Sequence, residues 1–281
     1  MAPPPLVRVV HVVVQSIAGE SFEIRVDLPC SVGALKQRIF EQWNVPPVFQ
    51  KLCMGSAAPG DYADLSEFCR SGDSALCVLL VISLNEAIGD LKISSRRLPA
   101  LQDLARLGLR GGEDAVAAVM SCCSEDRDWQ IRLAAVEALA KVAPRGDERA
   151  VTKLLGCLEH RERNVRRAAL RALSCVAGRG DAHAVGAVRC CLQDPHGMVR
   201  RAAVATMAQV TSKDDRAAIA AVERCREDTD EDVREAAEQA LMALAEQSNQ
   251  RSGMRSQCDT GKEEPSRTVA DVAIARACYG C

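Results

Sequence analysis

The sequence predicts an α+β chain, in which a small domain of strands and one helix precedes an all-α solenoid. Two observations lead to this fold class. Apolar and polar residues alternate between Phe22 and Leu28, which is typical of a half-buried strand. Farther along, one helical segment recurs four times at a spacing of 34 residues, which is typical of a repeat protein. The 281 residues suffice for two such units and a tail.

The first part of the chain follows the order strand, strand, helix, strand, strand. The apolar run Val9–Val14 predicts a partner for the alternating strand, with a turn at Ala18-Gly19-Glu20 between them. Helical spacing then begins after Ser31, a suitable N-cap, and Pro46-Pro47 ends it. The apolar positions of this helix are Val32, Leu35, Ile39 and Trp43, and the further strands are predicted at Phe49–Met54 and Ala75–Ile82.

This order of elements resembles ubiquitin and its relatives, the β-grasp fold, over residues 7–83. Three local matches carry the resemblance: the helix that leads through the double proline (Leu35–Leu52), the Ala18-Gly19 hairpin, and the segments Asp64–Phe68 and Ser74–Leu80. The resemblance implies a docking module. Its recognition patch maps onto Ile17, Cys53 and Leu79, with Lys51 beside it. Residues 82–85 read Ile-Ser-Leu-Asn instead of ending in a diglycine, so we expect no conjugation of the ubiquitin kind.

The repeats supply the strongest signal in the chain. The four copies begin at Ile131, Val165, Val199 and Val233. A small-residue column recurs within them, formed by Ala135, Ala169, Ala203 and Ala237. An earlier apolar helix precedes each copy, and Gly112, Gly146 and Gly180 separate successive helix pairs. Each unit is therefore expected to be two antiparallel helices.

The pattern Asp, four residues, Val-Arg, Ala-Ala, Leu resembles HEAT repeats, especially the short kind of the phycobilin lyases. We assign residues 112–246 to four such repeats. Residues 84–111 are predicted as a linker with a capping half-repeat, and residues 247–281 as a disordered tail.

Charge along the repeats suggests where a partner binds. Residues 145–204 carry twelve cations against six acids, whereas the last repeat is acidic. The predicted binding residues are Arg166, Arg167, Arg171, Arg200 and Arg201; the alternative is that the charged faces are solvated and that Asp194 and Glu162 neutralise the arginines. An arginine column (Arg132, Arg166, Arg200, Arg234) runs beside a column of Asp126, His160, Asp194 and Asp228. This pair of columns is interpreted as a structural ladder of caps and ion pairs, with a ligand-binding stripe as the alternative.

No catalytic pattern emerges from the sequence, so we expect a protein that is not an enzyme and has no cofactor and no metal site. The recurring cysteines Cys122, Cys157, Cys191 and Cys225 are interpreted as small buried residues, since stacked helices lie about 8–10 Å apart and one zinc ion cannot reach them all. None of the four histidines is followed by Glu, as the diiron hydroxylases built from such repeats would require. Cys278 and Cys281 form a terminal Cys-x-x-Cys without a second pair.

Composition and charge narrow the classes of protein to which the chain could belong. The net charge is −2 with a pI near 6.1, and aromatics make up 3%, so nucleic-acid binding is not expected. The longest early apolar run is too short to span a membrane, and no secretory signal is recognised. Fourteen cysteines then suggest a reducing compartment, the cytoplasm or the nucleus, with the cytoplasm preferred.

The sequence therefore predicts a non-catalytic adaptor. Its solenoid would bind an acidic protein partner, and its ubiquitin-like domain would dock a second one, from the ubiquitin system or the proteasome. The alternative is a bilin lyase or phycobiliprotein assembly factor, which the repeat subtype alone suggests.

Overall fold

The N-terminal domain is a four-stranded sheet covered on one side by a single helix. The computed structural model describes residues 8–69, 75–125, 128–212 and 214–257. The elements of this domain are β1 (Arg8–Ser16), β2 (Ser21–Leu28), α1 (Val32–Trp43), β3 (Gln50–Cys53) and β4 (Ala75–Ile82), with short 3₁₀ turns at Pro47–Phe49 and Leu65–Phe68. The predicted strands and helix are confirmed with shifts of a few residues at their ends.

The strands lie in the order β2-β1-β4-β3. β4 pairs in parallel with β1 and antiparallel with β3, so the last strand of the domain occupies the middle of the sheet. Alternation then fixes which side is buried. Val10, Val12 and Val14 of β1 face α1 and are nearly inaccessible, and so are Val78 and Leu80 of β4. The opposite side of the sheet is left open to solvent.

Helix α1 begins and ends where the sequence indicates. The Ser31 hydroxyl accepts a hydrogen bond from the backbone N–H of Ala34, which caps the first turn. At the other end, Asn44 adopts a left-handed conformation (φ 54°) and donates its N–H to the carbonyl of Phe40. The buried Gln50 side chain then donates to the carbonyls of Lys36 and Val45, which ties the end of the helix to β3.

The rest of the described chain is a stack of five helical hairpins. They are α2 (Asn85–Leu91) with α3 (Arg97–Leu107), α4 (Gly112–Glu125) with α5 (Trp129–Val142), α6 (Glu148–Cys157) with α7 (Arg163–Val176), α8 (Ala182–Cys191) with α9 (Gly197–Val210), and α10 (Arg216–Arg224) with α11 (Glu231–Gln257). The four predicted repeats are the last four hairpins.

Two predicted segments differ from the structure. Residues 84–111 form a complete hairpin, α2 and α3, instead of a linker with half a repeat; only α3 shows its helical period clearly in the sequence. At the other end, α11 continues to Gln257, so residues 247–257 are helical where we predicted disorder. The remainder of the predicted tail, including Cys278 and Cys281, lies outside the described residues.

The hairpins form two layers. The second helices (α3, α5, α7, α9 and α11) pack consecutively against one another, and the first helices stack more loosely on the other side. The second helices therefore line the inner side of the stack. Their predicted alanine column is fully buried, at Ala135, Ala169, Ala203 and Ala237. Small side chains at the contact allow the helix axes to approach closely.

Loop glycines join successive repeats. Gly146 and Gly180 adopt positive φ angles of 88° and 81°, a region that favours glycine. Their N–H groups donate to the carbonyls of Val176 and Val210, each at 2.7 Å. Each loop thereby caps the carboxyl end of the second helix in the next repeat, which explains why glycine recurs at the predicted spacing.

The two domains share a buried contact. Val45 and Phe49, which flank the double proline, belong to the hydrophobic core of the solenoid together with Ala87 and Leu91 of α2. Arg110 also donates a hydrogen bond to the carbonyl of Trp43 at 2.7 Å. The turn after α1 thus serves as the joint between the sheet domain and the first hairpin, a role that the sequence did not reveal.

Candidate partner-binding surfaces

An arginine–aspartate ladder crosses the junctions between repeats. Nε and Nη2 of Arg166 donate to the two carboxylate oxygens of Asp194 at 2.7 and 2.9 Å. Arg200 binds Asp228 in the same bidentate way, at 2.8 and 2.7 Å. Each pair joins the second helix of one repeat to the loop that precedes the second helix of the next. We call each such pair a rung.

Each aspartate of a rung has two further roles. Asp194 Oδ1 also accepts the backbone N–H of His196 at 2.9 Å, which fixes the turn that precedes α9, and the Asp194 carbonyl accepts from Arg200. Burial alone would raise the pKa of Asp194, but the hydrogen bonds from Arg166 and His196 outweigh it and hold the pKa below its usual value. The hydrogen bond from Arg200 likewise lowers the pKa of Asp228.

The ladder corrects part of the predicted binding surface. Arg166 and Arg200 were assigned to a partner, yet their side chains are only 11% and 15% exposed and their donors bind Asp194, Asp228 and backbone carbonyls. They hold the repeats together. The predicted ion pairs between the two columns are therefore confirmed at these junctions, whereas Asp194 binds the N–H of the N-cap residue His196 and does not cap α9 itself.

Three of the predicted arginines remain on the surface of the inner layer. Arg171 and Arg201 are exposed and Arg167 is half-buried. Arg201 approaches Asp232 at 3.5 Å, and both side chains are more than half exposed. Among the described residues no acidic side chain forms an ion pair with Arg167 or Arg171. We call Arg167, Arg171 and Arg201 the basic patch.

The residues predicted for the ubiquitin-like domain lie together on the open side of the sheet. Cys53 of β3 and Leu79 of β4 are direct cross-strand partners, and Lys51 lies two residues before Cys53 on the same side. Gln15 of β1 pairs with Leu79, so Ile17 follows at the same end of the sheet. Ile17 is 71% exposed and Leu79 is 41% exposed. We call Ile17, Lys51, Cys53 and Leu79 the sheet patch.

The cysteine column lies at the contacts between helices. The predicted column contains Cys122, but the residue 34 positions before Cys157 is Cys123; both are buried. Burial raises the pKa of Cys123 and of Cys157, and that of Cys191 to about 11, so these thiols stay protonated. Within the described ranges no cluster of His, Cys, Asp or Glu has the makings of a metal site.

Sequence reasoning missed one site, at the junction between the first two of the four predicted repeats (α4–α5 and α6–α7), which we call the first junction. Arg132 corresponds to Arg166, and His160 stands where the later junctions have aspartate. The Nε of Arg132 is buried, and it has no hydrogen-bond partner among the described residues. It lines a cavity of about 800 Å³ together with His160, Arg149 and Lys153. The signal was visible in the sequence as a histidine that interrupts a column of aspartates.

No helix in the described ranges has both the length and the apolar character needed to cross a membrane.

Comparison with known proteins agrees with this architecture. The model of the HEAT repeats family matches residues 86–174 and 157–242. The ubiquitin-like protein NEDD8 of Dictyostelium discoideum is 30% identical over 69 residues, which span 25% of this chain and 90% of that protein.

Three solved structures are similar to part of this chain at lower identity. The complex of CpcE and CpcF of phycocyanin lyase from Nostoc sp. is 24% identical, with a TM-score of 0.48 over 59% of this chain and 66% of that chain. A designed armadillo repeat protein in complex with the peptide (KR)4 is 17% identical, with a TM-score of 0.46 over 57% and 81% of the two chains. An engineered protein is 19% identical, with a TM-score of 0.46 over 57% and 78%.

The family match covers more than half of the chain, and it begins in α2, where the structure places the first hairpin. The match to NEDD8 agrees with the four-stranded sheet and its covering helix. This chain belongs to the HEAT-repeat family and carries a ubiquitin-like domain ahead of its repeats.

Proposed function

We propose that the protein is a non-catalytic adaptor that binds an acidic protein segment along the inner layer of its solenoid. The basic patch is the observation that carries this proposal. Its guanidinium groups stand on adjacent second helices, α7 and α9, and they are not used by the rungs. Arginine at such positions presents fixed donors that suit the carboxylates of a partner.

Charge along the inner layer supports an acidic partner of limited length. Glu137 of α5 is exposed on one side of the basic patch, and Asp232 and Glu235 of α11 are exposed on the other. An acidic segment centred on α7 and α9 meets cations, whereas an extension beyond either helix meets like charge. The contact between Arg201 and Asp232 is too exposed to compete strongly, since such surface pairs contribute about 0–1 kcal/mol.

The sheet patch is proposed as the docking surface for a second partner, a protein of the ubiquitin system or the proteasome. The open side of the sheet offers apolar area at Ile17 and Leu79, flanked by Lys51. A contact of this kind is small, so we expect it to be transient. The cytoplasmic location and the absence of catalysis are parts of the same proposal.

Charge reversal tests the solenoid surface. In the full-length chain, Arg167→Glu with Arg201→Glu should abolish binding of a fluorescent glutamate-rich peptide, measured by anisotropy at physiological salt. Arg189→Glu is the matched control, because Arg189 is exposed on a first helix, away from the inner layer. Circular dichroism should show equal helix content in all three proteins. Equal peptide affinity in the double variant and the control would contradict the proposal.

The second surface needs its own variant. Leu79→Ser with Ile17→Ser should remove ubiquitin-system or proteasome proteins from the set captured by the wild-type chain, as identified by mass spectrometry, and leave peptide binding by the solenoid unchanged. Capture of the same proteins by both chains would exclude the sheet patch. The bilin-lyase alternative stays a prediction, and recovery of phycobiliproteins in this experiment would favour it over the adaptor.

A further inference from the structure

The first junction of the solenoid differs from the later ones in the residue that faces its arginine. At the later junctions, Asp194 and Asp228 each make two kinds of hydrogen bond. One carboxylate oxygen accepts the backbone N–H two residues later, and both oxygens accept from the guanidinium group of an arginine in the preceding repeat. His160 makes only the first. Its Nδ1 accepts the backbone N–H of Glu162 at 3.1 Å. The hydrogen bond of the turn is retained, but the carboxylate is missing.

The tautomer of His160 follows from that hydrogen bond. Because Nδ1 accepts, the proton of the neutral ring is on Nε2, which is a donor. Burial and the nearby charge of Arg132 lower the pKa of His160, so the ring is neutral at pH 7. A neutral ring that offers an N–H gives Arg132 no acceptor. The side chain of Arg132 therefore keeps a buried Nε without a hydrogen-bond partner in the described part of the chain.

Leaving a buried charged donor unsatisfied costs free energy, so such a group in a native protein calls for an explanation. The cavity supplies one. Arg132 and His160 line a space of about 800 Å³ between α4 and α6, on the first-helix side of the stack and away from the basic patch. This volume lies in the range of small-molecule sites, about 300–1,000 Å³. Apolar wall is contributed by Met120, Cys123 and Cys157.

The charge of the cavity also differs from that of its counterparts. The wall contains Arg149 and Lys153 as well as Arg132, opposed by Glu148. At the second junction the equivalents of Arg149 and Lys153 are His183 and Ala187, and at the third they are Ala217 and Ala221. Cationic residues therefore accumulate only at the junction whose own carboxylate is missing.

We propose that this cavity binds a carboxylate from outside the chain, which takes the place of the missing aspartate. The side chain of Arg132 would turn toward the cavity on binding, so that Nε and Nη2 donate to the carboxylate as those of Arg166 donate to Asp194, and the N–H of His160 would donate to it as well. Arg149 and Lys153 add positive charge at the cavity wall, and the apolar wall takes the body of the ligand. The ligand class is a carboxylate joined to an apolar group, either a small molecule or an acidic side chain of a bound peptide.

Arginine Nε–Hε resonances in NMR spectra of the full-length chain test the proposal directly. The resonances of Arg166 and Arg200 are internal references, because their Nε groups already bind carboxylates. Phenylacetate should move the Arg132 resonance toward them in a saturable manner if the natural ligand is a small molecule. A peptide with one Glu beside leucines, acetylated and amidated at its ends, should do so if the carboxylate comes from a protein. The stronger of the two probes identifies the source.

Two variants and one control make the test specific. His160→Asp should place the Arg132 resonance near the two references without any ligand and abolish the response to phenylacetate. Arg132→Gln should abolish saturable binding, followed through the backbone amide resonances of the cavity residues, while the fold is retained. Arg189→Gln removes an exposed cation elsewhere on the first-helix layer and should respond like the wild type. The proposal is overturned if neither probe moves the Arg132 resonance at about 10 mM, a concentration that detects even millimolar affinity, or if inorganic phosphate binds more tightly than both.

This experiment is independent of the adaptor proposal. Reversal of Arg167 and Arg201 alters the inner layer and should leave the response of Arg132 intact, whereas loss of the cavity should leave binding of the glutamate-rich peptide unchanged. Either proposal can therefore be contradicted without affecting the other.

Discussion

The first and second junctions of the solenoid use the same arginine in different ways. At the second junction Arg166 and Asp194 form a bidentate pair with side chains 11% and 8% exposed. At the first junction Arg132 faces the neutral ring of His160 beside an open cavity. The comparison shows that one substitution, histidine for aspartate, removes the ion pair between two repeats and leaves an arginine donor without an acceptor from the described part of the chain. The turn before the next helix is retained, because His160 still accepts the N–H of Glu162.

The largest expected effect comes from breaking a closed junction. Asp194→Ala leaves Arg166 buried without its carboxylate, and we expect a loss of about 3 kcal/mol in the free energy of unfolding. Urea denaturation followed by circular dichroism measures it.

The matched control for that variant is Asp194→Asn, which keeps an acceptor for the N–H of His196 and should lose less. Adding Arg166→Met to Asp194→Ala should recover part of the loss, because no buried charge is then left unpaired. If Asp194→Ala costs no more than an exposed substitution such as Arg189→Gln, the rung does not stabilise the stack.

The second largest effect on stability is expected from giving Arg132 a carboxylate partner at the first junction. His160→Asp restores the column and gives Arg132 the carboxylate that Arg166 and Arg200 have. A hydrogen bond to a charged group contributes about 1.5 kcal/mol, so this variant should be more stable than the wild type by about that amount at pH 7. The same denaturation experiment tests it. A variant less stable than the wild type would show that the first junction cannot adopt the geometry of the second.

The smallest effect is a dependence on pH. Because Arg200 lowers the pKa of Asp228 in the folded state, this pair contributes stability that is fully present above the ordinary aspartate pKa of about 4 and is lost as the pH falls through the lowered value. Asp228→Asn removes that dependence, so its difference in unfolding free energy from the wild type should shrink below pH 4. His160→Asp should instead steepen the loss at low pH. Parallel pH profiles for the three proteins would contradict the assignment.

Much of the repeat stack could be predicted, because the residues that determine its helix packing and its loops recur at a fixed spacing in the sequence. The alanine column at Ala135 and Ala169 recurs wherever helices must approach closely, and glycine recurs wherever a loop needs a positive φ. The hairpin α2–α3 was harder to predict, because α2 is seven residues long and its two buried positions, Ala87 and Leu91, do not show a clear period.

The candidate site was predicted only in part. Arg167, Arg171 and Arg201 could be placed on an open helix face from their spacing. The columns of arginine and aspartate predicted ion pairs for Arg166 and Arg200, but their burial could not be predicted, because it depends on how closely the next repeat packs over them. Likewise, the sheet patch followed from family resemblance, while the direct pairing of Cys53 with Leu79 is visible only in the sheet register.

The sequence by itself determined the two folds, their order and the spacing of the repeats, because alternation, helical period and repeat length are properties of the chain. The tertiary structure decided how those parts meet. Packing brings Phe49, after the double proline, into the solenoid core, and stacking places each arginine 28 residues before its aspartate in sequence yet within hydrogen-bond distance. Such contacts depend on the rise and rotation between neighbouring repeats, which only the assembled stack sets.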